Sequence, residues 1–294
     1  MKKNTYILIG VFVCLFIIAY LLLQQPGEQS SNSGSIGLLC SIDSLQVDKI
    51  EIKTPASSLM LEKRAAGWFV AQPITTKADQ MMVSQIIHQI KILEIKSIVS
   101  SKQEKHSVFQ VDQTGTHVTI YEKGVEKAAF VLGKMAANYT ESYARKGTSN
   151  DVLLVEGASG YMFNRPVKDW RDKTILTASK ENMKEVQYQY GDTSFTVALR
   201  DSAWFVGKDK AQQAVMDGII ASLSHLQADD FIDTTVVPKI TAMVTSAGIQ
   251  LRFSFNKTVN TYAVQSSGSP QWFVVEPWKA NQILKRKKEI VETK

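Results

Sequence analysis

The side chains best suited to metal chemistry in this sequence are its four histidines: His88, His106, His117 and His225. None has a His, Cys, Asp or Glu partner at metal-ligand spacing, and no H-E-x-x-H motif occurs. His88 and His225 fall at non-equivalent positions of two predicted helices, which favours helix-surface residues over ligands. The sequence therefore predicts no metal site.

Catalytic motifs are equally scarce. Asp229 and Asp230 are adjacent carboxylates, but neighbouring residues point apart, so a solvated helix exit is favoured over an acid/base pair. No G-x-S-x-G or G-x-G-x-x-G motif occurs, and Gly133-Lys134-Met135 lacks the remaining residues of a phosphate loop. We therefore predict a protein that is not an enzyme and takes no cofactor. A hydrolase site built from Asp229, Asp230 and His225 is the weakest alternative.

Three tryptophans are candidate contact residues: Trp68, Trp204 and Trp272. The first two are equivalent aromatics on equivalent predicted strands, and the third lies on a late predicted strand. Large aromatics at such positions are usually core residues. If they are exposed, they become anchors for a partner protein.

A second candidate group lies in a connector, residues 165–180. Trp170, Arg171, Asp172 and Lys173 place a bulky aromatic beside alternating charges. Arg171 is the residue best suited to bidentate pairing. The sequence is compatible with internal ion pairs that fix two repeats together, which we favour, and with a docking surface.

The elements that must position these residues are duplicated. Ile50-Glu51-Ile52 matches Val186-Gln187-Tyr188, and Gly67–Val70 matches Ala203–Val206, both at an offset of 136. Three residues then drop out, and the apolar positions of two predicted helices match at an offset of 133. A repeat of this length indicates two copies of one supersecondary unit.

Each copy is predicted to contain short antiparallel strands and one helix, at Asp79–Glu94 and at Gln212–Gln227. Later strands are predicted, in chain order, at Thr116–Tyr121, Ala128–Leu132, Ser142–Arg145, Val152–Val155, Gly248–Phe255, Thr261–Gln265 and Trp272–Val275. The predicted fold class is α+β, with a first repeat over 40–164 and a second over 181–294.

An apolar segment precedes the repeats. Tyr6–Leu23 carries no charge over eighteen residues, which as a helix would span about 27 Å, close to a bilayer core. Lys2 and Lys3 precede it, so we predict a single transmembrane helix with residues 1–5 in the cytoplasm and the remainder extracytoplasmic. The polar residues 24–39 read as a flexible linker. The predicted location is the inner membrane, although a cleaved signal peptide is an alternative.

The formal net charge of +6 is confined to the two ends of the chain. Residues 4–278 balance at zero, so no nucleic-acid partner is predicted. The C-terminal tail carries a basic cluster: Lys285, Arg286, Lys287 and Lys288. A solvated helix end is favoured there over contact with anionic lipid or a partner. Cys14 and Cys40 are predicted to form no internal disulfide, and Cys40 is either a single thiol or a link between chains.

The chain resembles the bacterial family of domains of unknown function numbered forty-three forty. The resemblance rests on the Trp-Phe-Val strand before an Asp-initiated helix, on Leu132-Gly133-Lys134, on Tyr143-Ala144-Arg145, and on Trp170–Leu176. It implies an extracytoplasmic accessory to ABC-2-type permeases and gliding-type transport systems, with no catalytic residues. The second copy has Val264 where the first has Arg145, so any role of that arginine is not duplicated.

Two functional hypotheses follow. The first is a membrane-anchored, extracytoplasmic interaction or scaffold subunit that contacts the bilayer through Tyr6–Leu23 and a membrane partner such as an ABC-type permease. The second is a periplasmic ligand-binding module for a glycan or a lipid, using Trp68, Trp204 or Trp272.

Overall fold

The computed structural model describes residues 35–157, 160–234 and 238–292. In these residues 46% of positions are in strands and 21% in helices. The predicted α+β class is therefore wrong, and the fold is mostly β. The predicted helix at 6–23 lies outside the described residues. Within them, every helix is too short or too polar to cross a bilayer.

The strands and helices are numbered in chain order. The strands are β1 Gly37–Leu38, β2 Val47–Lys53, β3 Ser58–Arg64, β4 Gly67–Gln72, β5 Thr76–Lys77, β6 Glu94–Ser100, β7 Thr116–Glu122, β8 Val125–Met135, β9 Glu141–Lys146, β10 Val152–Glu156, β11 Thr174–Thr177, β12 Glu185–Tyr190, β13 Ser194–Arg200, β14 Ala203–Val206, β15 Asp209–Lys210, β16 His225–Gln227, β17 Asp230–Ile232, β18 Ala242–Ser246, β19 Ile249–Asn256, β20 Thr261–Ser266 and β21 Trp272–Val275. The helices are α1 Gln80–Lys91, α2 His106–Phe109, α3 Gly160–Phe163, α4 Gln213–Ser224, α5 Pro277–Ile283 and α6 Lys287–Ile290.

The described chain divides into two compact units. Unit 1 comprises residues 35–58 and 84–164, and unit 2 comprises residues 59–83, 165–234 and 238–292. Unit 2 thus combines the β3-β4-β5 segment of the first repeat with the whole described second repeat.

In unit 1, seven strands lie in the order β1-β6-β10-β9-β8-β7-β2, and neighbours pair antiparallel. Alternating apolar residues form its buried face: Ile50 and Ile120 are fully buried on paired strands. The tight turn between β7 and β8 places Lys123 and Gly124 at positive φ, as two-residue hairpins require.

In unit 2, nine strands lie in the order β15-β14-β13-β12-β18-β19-β20-β21-β17. A two-stranded sheet, β11-β16, and the antiparallel segment β3-β4-β5 complete its strands. Helix α4 buries Met216, Ile219, Ile220 and Leu223 in the core cluster of this unit. That cluster also contains Ile283 of α5 and Ile290 of α6, so the C-terminal segment belongs to the fold.

The pairing order is the same in both repeats. The run β6-β10-β9-β8-β7-β2 in unit 1 matches β17-β21-β20-β19-β18-β12 in unit 2, and β3-β4-β5 matches β13-β14-β15. The matched elements are therefore nine strands and one long helix in each repeat. The fold is mostly β because the strands of each repeat contain more residues than its long helix, which has only twelve.

Both long helices occur where the periodicity predicts them, but each ends three residues early. After α1 the chain enters β6 at Glu94, and after α4 it enters β16 at His225. Asp79 begins α1 as an N-cap, because its Oδ1 accepts hydrogen bonds from the N–H groups of Met81 at 2.9 Å and Met82 at 3.0 Å.

Candidate functional site

A segment of the connector, the first strap (Val167–Asp172), runs along the hairpin of the first repeat. The N–H of Asp79 donates to the carbonyl of Trp170 at 2.8 Å, and the N–H of Asp172 donates to the carbonyl of Lys77 at 2.9 Å. The Lys77 ammonium lies 3.0 Å from the Asp172 carboxylate. The strap thus covers main-chain groups at the outer edge of β5.

A second strap (Lys287–Glu292) makes the same contacts in the second repeat. The N–H of Gln212 donates to the carbonyl of Ile290 at 2.8 Å, and the N–H of Glu292 donates to the carbonyl of Lys210 at 3.0 Å. Lys210 and Glu292 also form an ion pair at 3.3 Å. The two straps are therefore equivalent elements.

The connector and the C-terminal tail are related by these contacts. The connector contains the closing strap of the first repeat, and the basic tail contains the closing strap of the second. Few side chains reveal the match, because the shared contacts use main-chain groups. At the position where each strap forms its bridge, the first has Arg171 and the second has Val291.

Arg171 is 3% exposed and makes the densest polar contacts of the first strap. Its Nη1 and Nη2 donate to the two carboxylate oxygens of Asp233 at 2.7 and 2.9 Å, and Nη2 also donates to Gln271 Oε1 at 3.1 Å. The guanidinium carbon lies 3.6 Å from the ring centroid of Phe231. This bidentate, stacked geometry is one that a lysine could not reproduce.

The charges beside Arg171 are fixed in their ionised forms. Hydrogen bonding to the Arg171 guanidinium holds the pKa of Asp233 below its usual value, despite partial burial. For Asp172 burial acts to raise the pKa, but hydrogen bonds from Thr174 and the contact with Lys77 outweigh it, so that pKa is lowered as well. Both carboxylates therefore accept hydrogen bonds and are poor proton donors.

Asp172 and Asp233 open onto a concavity of unit 2, a groove of about 770 Å³. Its apolar lining includes Phe69, Ile74, Ile232, Ile249 and Trp272, and its polar lining includes Thr76, Lys77, Asp172, Thr177, Asp233 and Gln271. We call this concavity the groove. Its size falls in the range of small-molecule sites, roughly 300–1,000 Å³.

Asp229 and Asp230 do not form an acid/base pair. Asp229 binds the Lys279 ammonium and accepts a hydrogen bond from the N–H of Glu276 at 2.9 Å, before α5. Asp230 pairs with Lys168 of the first strap at 2.8 Å. Burial acts to raise the pKa of Asp230, but the bond from Lys168 outweighs it and the pKa is lowered. Both carboxylates thus bind cations of neighbouring elements.

The histidines are exposed or have structural partners. His88 and His225 are exposed, the latter in β16 rather than on a helix. A ring nitrogen of His106 lies 2.9 Å from the carbonyl of Asn150, and one of His117 lies 3.1 Å from the carbonyl of Asp112. The described residues contain no group of three or more His, Cys, Asp or Glu side chains that could hold a metal ion.

The tryptophans selected from the sequence are buried. Their exposed fractions are 7% for Trp68, 5% for Trp204, 9% for Trp272 and 0% for Trp170. Lys173 pairs with Asp169, four residues earlier in the chain, at 3.5 Å. Of the four, Trp272 borders the groove.

The exposed tryptophan is Trp278, which sequence reasoning missed; its side chain is 66% exposed on α5. Asn281, one turn further along the helix, accepts a hydrogen bond from the Tyr262 hydroxyl at 3.2 Å. The Tyr262 ring lies 4.9 Å from that of Phe255, which is 37% exposed. We call Phe255, Tyr262, Trp278 and Asn281 the aromatic patch. The sequence does contain a signal for α5: Pro277 follows Glu276, and a proline is common at the first position of a helix.

The basic tail is largely engaged within unit 2. Arg286 binds Asp192 at 2.7 Å and lies over the Tyr190 ring at 4.0 Å, while Lys287 binds Asp209 at 3.0 Å. Lys285 contributes its carbonyl, which accepts the Tyr190 hydroxyl at 2.8 Å. Lys288 is exposed.

One comparison with known proteins gives a match. A family model described as Domain of unknown function (DUF4340) matches residues 68–243, more than half of the chain. The matched range contains the first strap, Arg171 and Asp233, and it ends before the aromatic patch. No curated protein and no solved structure matches the chain.

Proposed function

The chain belongs to the family Domain of unknown function (DUF4340), and we propose that it is a non-enzymatic, extracytoplasmic interaction subunit that binds a partner protein of an ABC-type transporter or envelope complex. The observation that carries this proposal is the aromatic patch. The match to the family model confirms the resemblance to the family.

The patch has the composition of a protein-binding surface. Trp278 is a rigid side chain with a large exposed area on a helix that is itself packed into the core through Ala280 and Ile283. Tryptophan and tyrosine dominate the energetic centres of protein interfaces, because they bury much apolar area at low cost in side-chain entropy. Lys279, whose ammonium lies 5.4 Å from the Trp278 ring centroid, provides a polar rim.

The charges of unit 2 support binding rather than catalysis. Asp172, Asp230 and Asp233 are each paired with a cation and have lowered pKa values. A general acid at neutral pH needs a raised carboxyl pKa instead. These residues therefore support a scaffold that presents surfaces to a partner.

The extracytoplasmic location rests on the sequence. The apolar residues 6–23 follow Lys2 and Lys3, which favours a cytoplasmic N-terminus and an extracytoplasmic position for the folded units. A subunit anchored in the same membrane as a permease gains effective concentration for binding it.

The proposal is tested by photo-crosslinking in cells. A photoreactive amino acid replaces Trp278 in one full-length variant and Tyr139 in another; Tyr139 is 79% exposed and lies in unit 1. We expect a discrete adduct from position 278, identified by mass spectrometry as a multi-span membrane protein of an ABC-type system, and none from position 139.

A matched pair of alanine variants gives the energetic control. Trp278→Ala should weaken co-purification of that partner at least tenfold, since hot-spot tryptophans contribute about 2 kcal/mol or more. Tyr139→Ala should leave it unchanged. Recovery of the chain alone in detergent, or equal adducts from both positions, would contradict the proposal.

A further inference from the structure

The groove of unit 2 is separate from the aromatic patch, and its chemistry selects a different kind of ligand. The charged groups nearest to it form two ion pairs, Lys77 with Asp172 at 3.0 Å and Arg171 with Asp233 at 2.7 Å. Each pair sums to zero charge. A ligand with a net charge would therefore have to break a pair or remain without a partner.

Main-chain groups at the border of the groove are already bonded. The Lys77 carbonyl accepts from Asp172, the Thr174 N–H donates to Asp172 Oδ1 at 3.0 Å, and the Ile232 carbonyl accepts from Gln271 Nε2 at 3.0 Å. An extended peptide binds by pairing with a free strand edge. These three positions offer it no such edge.

The polar atoms that the groove presents to a ligand are side-chain oxygens. The hydroxyls of Thr76 and Thr177 have no hydrogen-bond partner among the described residues, and Thr177 is exposed. The Asp233 side chain is 44% exposed although Arg171 holds it, so the remaining lone pairs of its carboxylate are accessible. Fixed, ionised carboxylates are strong acceptors for hydroxyl donors.

Apolar surface lies between these polar groups. Phe69, Ile74 and Ile249 are partly exposed in the groove, and Trp272 borders it. A sugar ring has this same alternation, with hydroxyl groups around its rim and C–H groups on its faces. We propose that the groove binds a neutral oligosaccharide, with Asp172 and Asp233 accepting from its hydroxyls and Thr76 and Thr177 completing the contacts.

The test is calorimetric titration of the full-length chain in detergent with three trisaccharides: cellotriose and chitotriose, which are neutral, and trigalacturonate, which is anionic. We expect saturable binding of at least one neutral sugar. Trigalacturonate should bind at least tenfold more weakly, because its carboxylates face those of Asp172 and Asp233. Sugar binding is measured without the partner protein and does not involve Trp278. A failure of this proposal is therefore distinguishable from a failure of the proposed function.

Isosteric variants locate the site. Thr76→Val with Thr177→Val should weaken binding about tenfold or more, at roughly 0.5–1.5 kcal/mol for each lost hydrogen bond. Thr196→Val, an exposed position of β13 outside the groove, should leave affinity unchanged. If the double variant fails to fold, Thr177→Val alone should give about a threefold loss. Absence of saturable binding by both neutral sugars, stronger binding of trigalacturonate, or equal affinities of the groove and control variants would overturn the proposal.

Discussion

Removing Asp233 should destabilise unit 2 far more than removing its partner Arg171. The asymmetry comes from burial: the Arg171 side chain is 3% exposed, whereas that of Asp233 is 44% exposed. Asp233→Ala leaves a buried guanidinium with only the Gln271 oxygen and the Phe231 ring as partners. Arg171→Met leaves a half-exposed carboxylate that water can solvate.

The magnitudes follow from these environments. Breaking a buried ion pair by removing one partner costs about 3–5 kcal/mol, and we expect about 3 kcal/mol for Asp233→Ala because the vacated space admits water. Arg171→Met keeps much of the apolar contact with Phe231 and should cost about 1–2 kcal/mol. The double variant should cost about as much as Arg171→Met alone, since no uncompensated charge remains.

The assay uses tryptophan emission during urea unfolding of the full-length chain. All five tryptophans belong to unit 2, so their emission reports on that unit. Lys168→Met is the control, because its pair with Asp230 has side chains 52% and 42% exposed, where solvent screens the charges and the pair should contribute little to stability. Equal costs for Asp233→Ala and Lys168→Met, or additive costs in the double variant, would refute the reasoning.

Three further outcomes are expected. Arg171 lowers the pKa of Asp233, so this pair should stabilise unit 2 fully above about pH 4. The stabilisation should decrease as the pH falls toward the lower pKa of the folded state. Urea unfolding at several pH values measures this change. Burial raises the pKa of Cys40 to about 11. In a Cys14→Ser variant, Cys40 should therefore react with maleimide about a hundredfold more slowly than a thiol of pKa 9.0. Gly133→Ala should reduce hydrogen-exchange protection in β8, the strand that contains Gly133, because the added Cβ would overlap the carbonyl oxygen of Phe109. Gly191→Ala, with open space around it, should not.

Much of the repeat could be predicted because it depends on local periodicity. The apolar spacing that predicts α1 and α4 is set by residues within one helix. The strand Trp272–Val275 occurs with the predicted bounds, since its apolar run lies between polar turns. The fold class was wrong because strands such as β6, β16 and β17 were not predicted, since each pairs with a strand that is distant in sequence.

The candidate surfaces could not be predicted from sequence periodicity, because they are formed by contacts between residues that are distant in sequence. Arg171 and Asp233 are 62 residues apart, and nothing in the spacing of either selects the other. Trp278 is exposed because of the face of α5 on which it lies, whereas the other four tryptophans lie on other elements and are buried. The equivalence of the two straps is carried by main-chain hydrogen bonds, which leave little trace in side-chain identity.

The sequence by itself determined the duplication, the family, the positions of the long helices and the charge balance, because each is a property of residue order. Only the tertiary structure decided that the fold is mostly β, that the connector and the tail contain the same closing strap, and that Arg171 is buried against Asp233. It also decided which tryptophan is exposed. Those features arise from pairing between distant segments, where burial and main-chain hydrogen bonding outweigh local preference.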